Sequence, residues 1–114
     1  MSAPAIDSAT FEALKQMTGA DFVVELVDTF LQEAPAMLDE LRRALAAQDA
    51  DKFRRAAHSL KSNSNTFGAL TLGAMARELE LGGMAKAIEG GEPLDALAQE
   101  YSRVAAALTD LQHE

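Results

Sequence analysis

His58 is the residue of this chain best placed to do chemistry. Six of the ten basic residues, Arg42, Arg43, Lys52, Arg54, Arg55 and Lys61, fall between positions 42 and 61, where only Asp49 and Asp51 oppose them. That window is net +4 in a chain of net charge −8, so the remaining residues carry −12. A charge run alone usually means a solvated helix face, but the spacing here says more. On a wheel of ~100° per residue, Phe53, Ala57, Leu60, Ser64 and Phe67 share one sector, and His58 falls on the order of 140° from Phe53. His58 shares its side with Arg54, Lys61, Ser62 and Asn65 at i−4, i+3, i+4 and i+7. It is expected on an outer flank, ringed by cations and small polar groups.

Several uses of such a histidine fail on the residues available. A metal site needs several ligands, and the one other histidine is His113, beside the C-terminus. A Glu-x-x-His pair of the di-iron kind is absent, because Arg55 stands three residues before His58. Haem ligation wants an apolar pocket. A hydrolase triad wants a strained nucleophile turn. What remains is a solvent-facing imidazole nucleophile, with cations able to stabilise an arriving phosphoryl group.

Composition narrows the field further. A chain of 114 residues makes one compact domain. No cysteine is present, which excludes disulfides, iron–sulfur clusters and thiolate zinc. The acidic balance argues against nonspecific binding to nucleic acid or an anionic membrane, and 5% aromatics with no Trp leave no stacking platform for bases. No apolar run approaches the ~20 residues of a membrane span. The first residues resemble no signal peptide, so the expected location is the cytoplasm. There is no Gly-x-x-x-x-Gly-Lys-Ser/Thr loop, so a phosphoryl group would have to come from another protein.

The elements that must position His58 read as helices throughout. Ala, Leu and Glu dominate, and no segment alternates with period two. A short helix capped by Asp7 or Ser8 should run to Gly19, with Phe11, Leu14 and Met17 apolar. A long helix from Asp21 shows a stripe of Phe22, Leu26, Phe30, Ala34, Met37, Leu41 and Leu45. Pro35 should kink it without ending it. A third helix, capped by Asp49, should span about Ala50 to Phe67 and end at Gly68. A fourth should span about Thr71 to Ile88, with Leu72, Met75, Leu79 and Met84 or Ala85 inward, weakened by Gly82-Gly83 and ended by Gly90-Gly91. A fifth, with Pro93 in its first turn, carries Leu94, Leu97, Tyr101, Val104, Leu108 and Leu111. The expected architecture is all-α: an antiparallel four-helix bundle over 8–112 with a short additional N-terminal helix, after a flexible 1–7.

The run from Ala57 to Ala69, His58-Ser59-Leu60-Lys61-Ser62 followed by small residues, Phe67 and Gly68, resembles the signature of histidine-containing phosphotransfer (HPt) domains. Phe30-Leu31 with Pro35 resembles the family's second helix, and Arg77-Glu78-Leu79-Glu80 its fourth. The likeness covers about 8–112. One departure is Ser62, where the family most often has Gly.

The resemblance implies that His58 accepts a phosphoryl group on Nε2, that Lys61 offsets its charge, and that Glu80 holds Nδ1. It implies that Gly68 makes the turn between the third and fourth helices. Arg54, Arg55, Ser62, Asn65, Phe11 and Leu14 would border a docking face. The implied partners are response-regulator receiver domains and a hybrid sensor histidine kinase, with Mg²⁺ supplied by the receiver and no cofactor or metal held by this chain. A monomer without kinase activity is expected. The rival readings are a receiver-docking module without transfer and a piece of a larger sensor kinase.

Overall fold

The computed structural model describes residues 4–89 and 93–112. Five helices follow one another: α1 (Ser8–Thr18), α2 (Ala20–Ala47), α3 (Ala50–Thr66), α4 (Leu70–Glu89) and α5 (Pro93–Gln112). There are no strands among the described residues. α2, α3, α4 and α5 pack in a closed cycle, and α1 lies across α2 and the end of α3. This is the antiparallel four-helix bundle with an extra N-terminal helix that the apolar spacing implies.

The caps follow from side chains that accept orphan helix donors. Asp7 accepts from the Thr10 backbone N–H at 3.1 Å and Asp49 from that of Lys52 at 3.1 Å. Residues 6–7, assigned to a flexible terminus by their composition, are instead part of the body. Ile6 is buried, and the Asp7 N–H donates to the Gly68 carbonyl at 2.7 Å, so the chain start is tied to the α3–α4 turn. Residues 1–3, Gly90-Gly91 and His113 lie outside the described residues.

α3 is held in rotation by its buried face. Phe53, Ala57, Leu60 and Ser64 are all fully buried, and Phe67 nearly so. Turning the helix by one residue would expose Phe53 and Leu60, at about 1.5–3 kcal/mol each, and drive a charged neighbour inward. His58 therefore points out because its neighbours must point in. Phe30 of α2 meets Phe67 with ring centroids 5.1 Å apart and Tyr101 of α5 at 6.1 Å, which sets the level of α2 and α5 against the end of α3.

Pro35 sits inside α2 without ending it. The buried stripe of α2 differs in phase from the expected one: Val23, Val27, Phe30, Ala34, Leu38, Leu41 and Ala44 are inward. Phe22 is 51% exposed, and Met17 of α1 is 80% exposed. α2 offers adjacent apolar pairs at 22–23, 26–27, 37–38 and 44–45, and the flanking helices decide which member is central. In α4, Leu72 and Leu79 are buried as expected, but Ala76 is inward where Met75 is only partly so.

Gly83 has φ 65° and ψ −159°, which breaks α4 into two helical pieces and re-phases the residues beyond it. A Cβ there would meet nothing within 4 Å, so the torsion and not crowding calls for glycine. Gly82, exposed and without a positive φ, has no such need. Gly82→Ala is expected to stabilise by about 0.5–1 kcal/mol and Gly83→Ala to destabilise by at least as much, as read by thermal unfolding.

Candidate functional site

The site is built by the middle of α3 and the middle of α4. His58 projects from the outer face of α3 with 59% of its side chain exposed. Glu80 comes across from α4, 15% exposed, and reaches two residues of α3 at once. Its Oε2 lies 2.7 Å from His58 Nδ1, and its Oε1 lies 2.8 Å from Lys61 Nζ. Lys61, one helical turn on from His58, is 24% exposed.

The charge state of Glu80 decides the proton on the ring. The hydrogen-bonded Lys61 ammonium holds its carboxyl below the usual carboxylate range, the His58 bond adds to this, and partial burial opposes it. An ionised carboxylate only accepts, so His58 Nδ1 must carry the hydrogen and donate it. The neutral tautomer with its hydrogen on Nδ1 has its lone pair at Nε2.

A depressed carboxyl contributes stability above its unfolded value of ~4.3, and that contribution is lost as pH falls through the folded value. The Glu80 carboxyl carbon should accordingly titrate below ~4.3 by NMR, and Lys61→Met should move the midpoint upward. An unshifted midpoint would mean that the ion pair does not hold in solution.

α3 and α4 can approach closely here because residue 73 has no side chain. A Cβ at Gly73 would collide with the Asn65 side-chain amide, which lies over it. Gly68 makes the turn between the two helices with φ 86°, and a Cβ on it would lie 2.8 Å from the Asp7 carbonyl oxygen. The glycine thus serves both the turn and the seat of the chain start.

The geometry is that of a half-exposed imidazole with a carboxylate on Nδ1 and an ammonium one helical turn away. Among known proteins, the Hpt domain model matches residues 25–112, which covers α2 to α5 almost entirely. The chain belongs to the Hpt domain family. The crystal structure of histidine-containing phosphotransfer protein B (HptB) from Pseudomonas aeruginosa PAO1 superposes with a TM-score of 0.88 at 27% identity, covering 98% of this chain and 97% of that one. The sensor protein TorS of Escherichia coli (strain K12) is 37% identical over 65 residues, which is 57% of this chain and 7% of that sensor. Membership supports a histidine phosphotransfer role in phosphorelays for this Hpt domain.

Ser62 is exposed near His58, and Asn65 is exposed with its side-chain amide packed over Gly73. Arg54 is exposed and only loosely paired with Asp51, at 3.8 Å. Arg55 and Ser59 open on a cleft of about 480 Å³ between the end of α2 and the start of α3, which Arg43 and Lys52 also line.

Phe11 and Leu14, expected on a docking face, are instead buried in the core at 4% and 8% exposure and offer no contact surface. Their side of α1 is the one that packs on α2. Among the described residues, the large apolar side chains left exposed are Met17, Phe22, Leu70 and Leu81.

Sequence reasoning missed Asn65 over Gly73 and the buried Glu100, whose Oε1 bonds Arg103 at 2.7 Å. A glycine in mid-helix was the available signal for the first. No helix among the described residues is long and apolar enough to cross a membrane, and no three of them of the His, Cys, Asp or Glu kind cluster as metal ligands.

Proposed function

We propose that His58 Nε2 accepts a phosphoryl group from the phospho-aspartate of a receiver domain and returns it to the aspartate of another. The observation that carries this reading is the Glu80 contact on Nδ1 at 2.7 Å in a side chain that is 59% exposed. The Nε2 lone pair forms the P–N bond as the P–O bond to the aspartyl carboxylate breaks, and the carboxylate leaves as its anion. The proton stays on Nδ1, so the ring becomes an imidazolium facing the Glu80 carboxylate. Lys61 offsets the charge of the phosphoryl oxygens. In such a loose transfer the protein mainly positions and stabilises charge, and the receiver supplies the Mg²⁺.

The partner seats over Ser62, which is small enough to let a surface approach. Arg54 and Arg55 flank it, and Met17 and Phe22 at the α1–α2 corner are the apolar contacts in place of Phe11 and Leu14. The protein acts as a cytoplasmic monomer between receivers, one of which belongs to a hybrid sensor histidine kinase.

The test is incubation with a panel of phosphorylated receiver domains, read by intact mass. The reading expects a gain of one phosphoryl group, lost in acid, from at least one receiver. Receiver binding with no mass gain from any of them would overturn it in favour of a docking module.

A further inference from the structure

Before transfer, the charges at the site are fully committed. Lys61 is paired with Glu80 Oε1 at 2.8 Å, and Glu80 Oε2 lies 2.7 Å from His58 Nδ1. Lys61 is therefore not a free cation waiting for phosphate, and its side chain and that of Glu80 are both largely shielded. Phosphorylation at Nε2 changes the inventory by two groups. The ring, with its proton still on Nδ1, becomes cationic, and the phosphoryl oxygens bring a charge of about −1.5 to −2.

From these contacts we infer that Glu80 and Lys61 exchange partners when the phosphoryl group arrives. Lys61 leaves Glu80 for the more highly charged phosphoryl oxygens, and Glu80 turns its whole charge to the new imidazolium. Residues three apart on a helix have Cβ atoms ~5–6 Å from each other, so the long Lys61 stem can serve either anion. Every charge has a partner in both states. The consequence is regulatory: Glu80 competes for Lys61 and so limits how much Lys61 can stabilise phosphohistidine. The carrier is kept a ready donor and not a phosphoryl sink. This inference rests on the phosphotransfer reading of His58.

The exchange predicts that the effect of Lys61 depends on Glu80. Wild type, Lys61→Met, Glu80→Gln and the double variant are loaded with phosphoramidate, a small phosphoryl donor, and loss of the phosphoryl group is followed by intact mass. Gln retains an acceptor for Nδ1–H but no charge to compete for Lys61.

Lys61 paired with the phosphoryl oxygens stabilises the phosphohistidine, so Lys61→Met should shorten the half-life. That shortening should be about two- to fivefold larger in the Glu80→Gln background than in wild type, the range of a partly exposed ion pair. An equal factor in both backgrounds would overturn the exchange while leaving transfer through His58 intact. Failure of wild type to load from phosphoramidate and from every receiver would contradict the phosphotransfer reading, and the exchange with it.

Discussion

His58→Gln should take up no phosphoryl group from any receiver that loads the wild type, while its fold and melting temperature stay nearly unchanged. The side chain is 59% exposed, and surface substitutions of that kind usually move stability by within ~0.5 kcal/mol. Glutamine offers no ring nitrogen, so the loss is complete and not graded. Intact mass reports the first half of this expectation and circular dichroism the second. Glu80 meets Lys61 through Oε1, the oxygen not facing His58, so that pair should persist. A variant that still gained one phosphoryl group would place the acceptor elsewhere.

Gly68→Ala should be the most damaging single methyl in the chain. The residue has φ 86°, where L side chains are strained, and its new Cβ would stand 2.8 Å from the Asp7 carbonyl oxygen and 3.1 Å from Thr10 Cβ. Backbone atoms cannot step aside cheaply. Asp7 is fixed by its N–H to the Gly68 carbonyl and by its cap on Thr10. The expected cost is about 2–4 kcal/mol from torsional strain plus overpacking. In a domain this size that lowers the melting temperature by roughly 10 °C or more. The substitution should also loosen α1, because Asp7 and Ile6 are seated against this turn. A loss below ~0.5 kcal/mol would mean that the chain start does not dock there.

α1, α2, α3 and α5 were legible because each carries one wide apolar arc. Asp7, Asp49, Gly68 and Pro93 mark their ends by simple hydrogen-bond and torsion rules. The phase of α2 was less legible. Its apolar arc contains neighbouring pairs such as Phe22-Val23 and Met37-Leu38, and one-dimensional periodicity cannot say which of two adjacent residues faces the bundle centre. The same limit put Met17, Phe11 and Leu14 on one side of α1, where the structure separates Met17 from the other two. Gly83 could be seen as a weak point but not as a break, because its torsion depends on how the second half of α4 must meet α5.

At the site, the outward direction of His58 followed from the buried sector of α3 alone. The approach of Glu80 did not, since a residue 22 positions away is brought near only by the α3–α4 packing that Gly73 permits. Its expected place came from the family resemblance. The sharing of Glu80 between His58 and Lys61 was invisible in either reading, because it depends on two oxygens of one carboxylate facing two residues.

The central claim is that transfer uses His58 Nε2 because Glu80 keeps the proton on Nδ1. The most direct measurement is ¹⁵N and ³¹P NMR of the imidazole-labelled protein after phosphorylation. The account predicts phosphorus coupled to Nε2 of His58, with Nδ1 still protonated and within a hydrogen bond. Phosphorus on Nδ1, on His113 or on a carboxylate would contradict it.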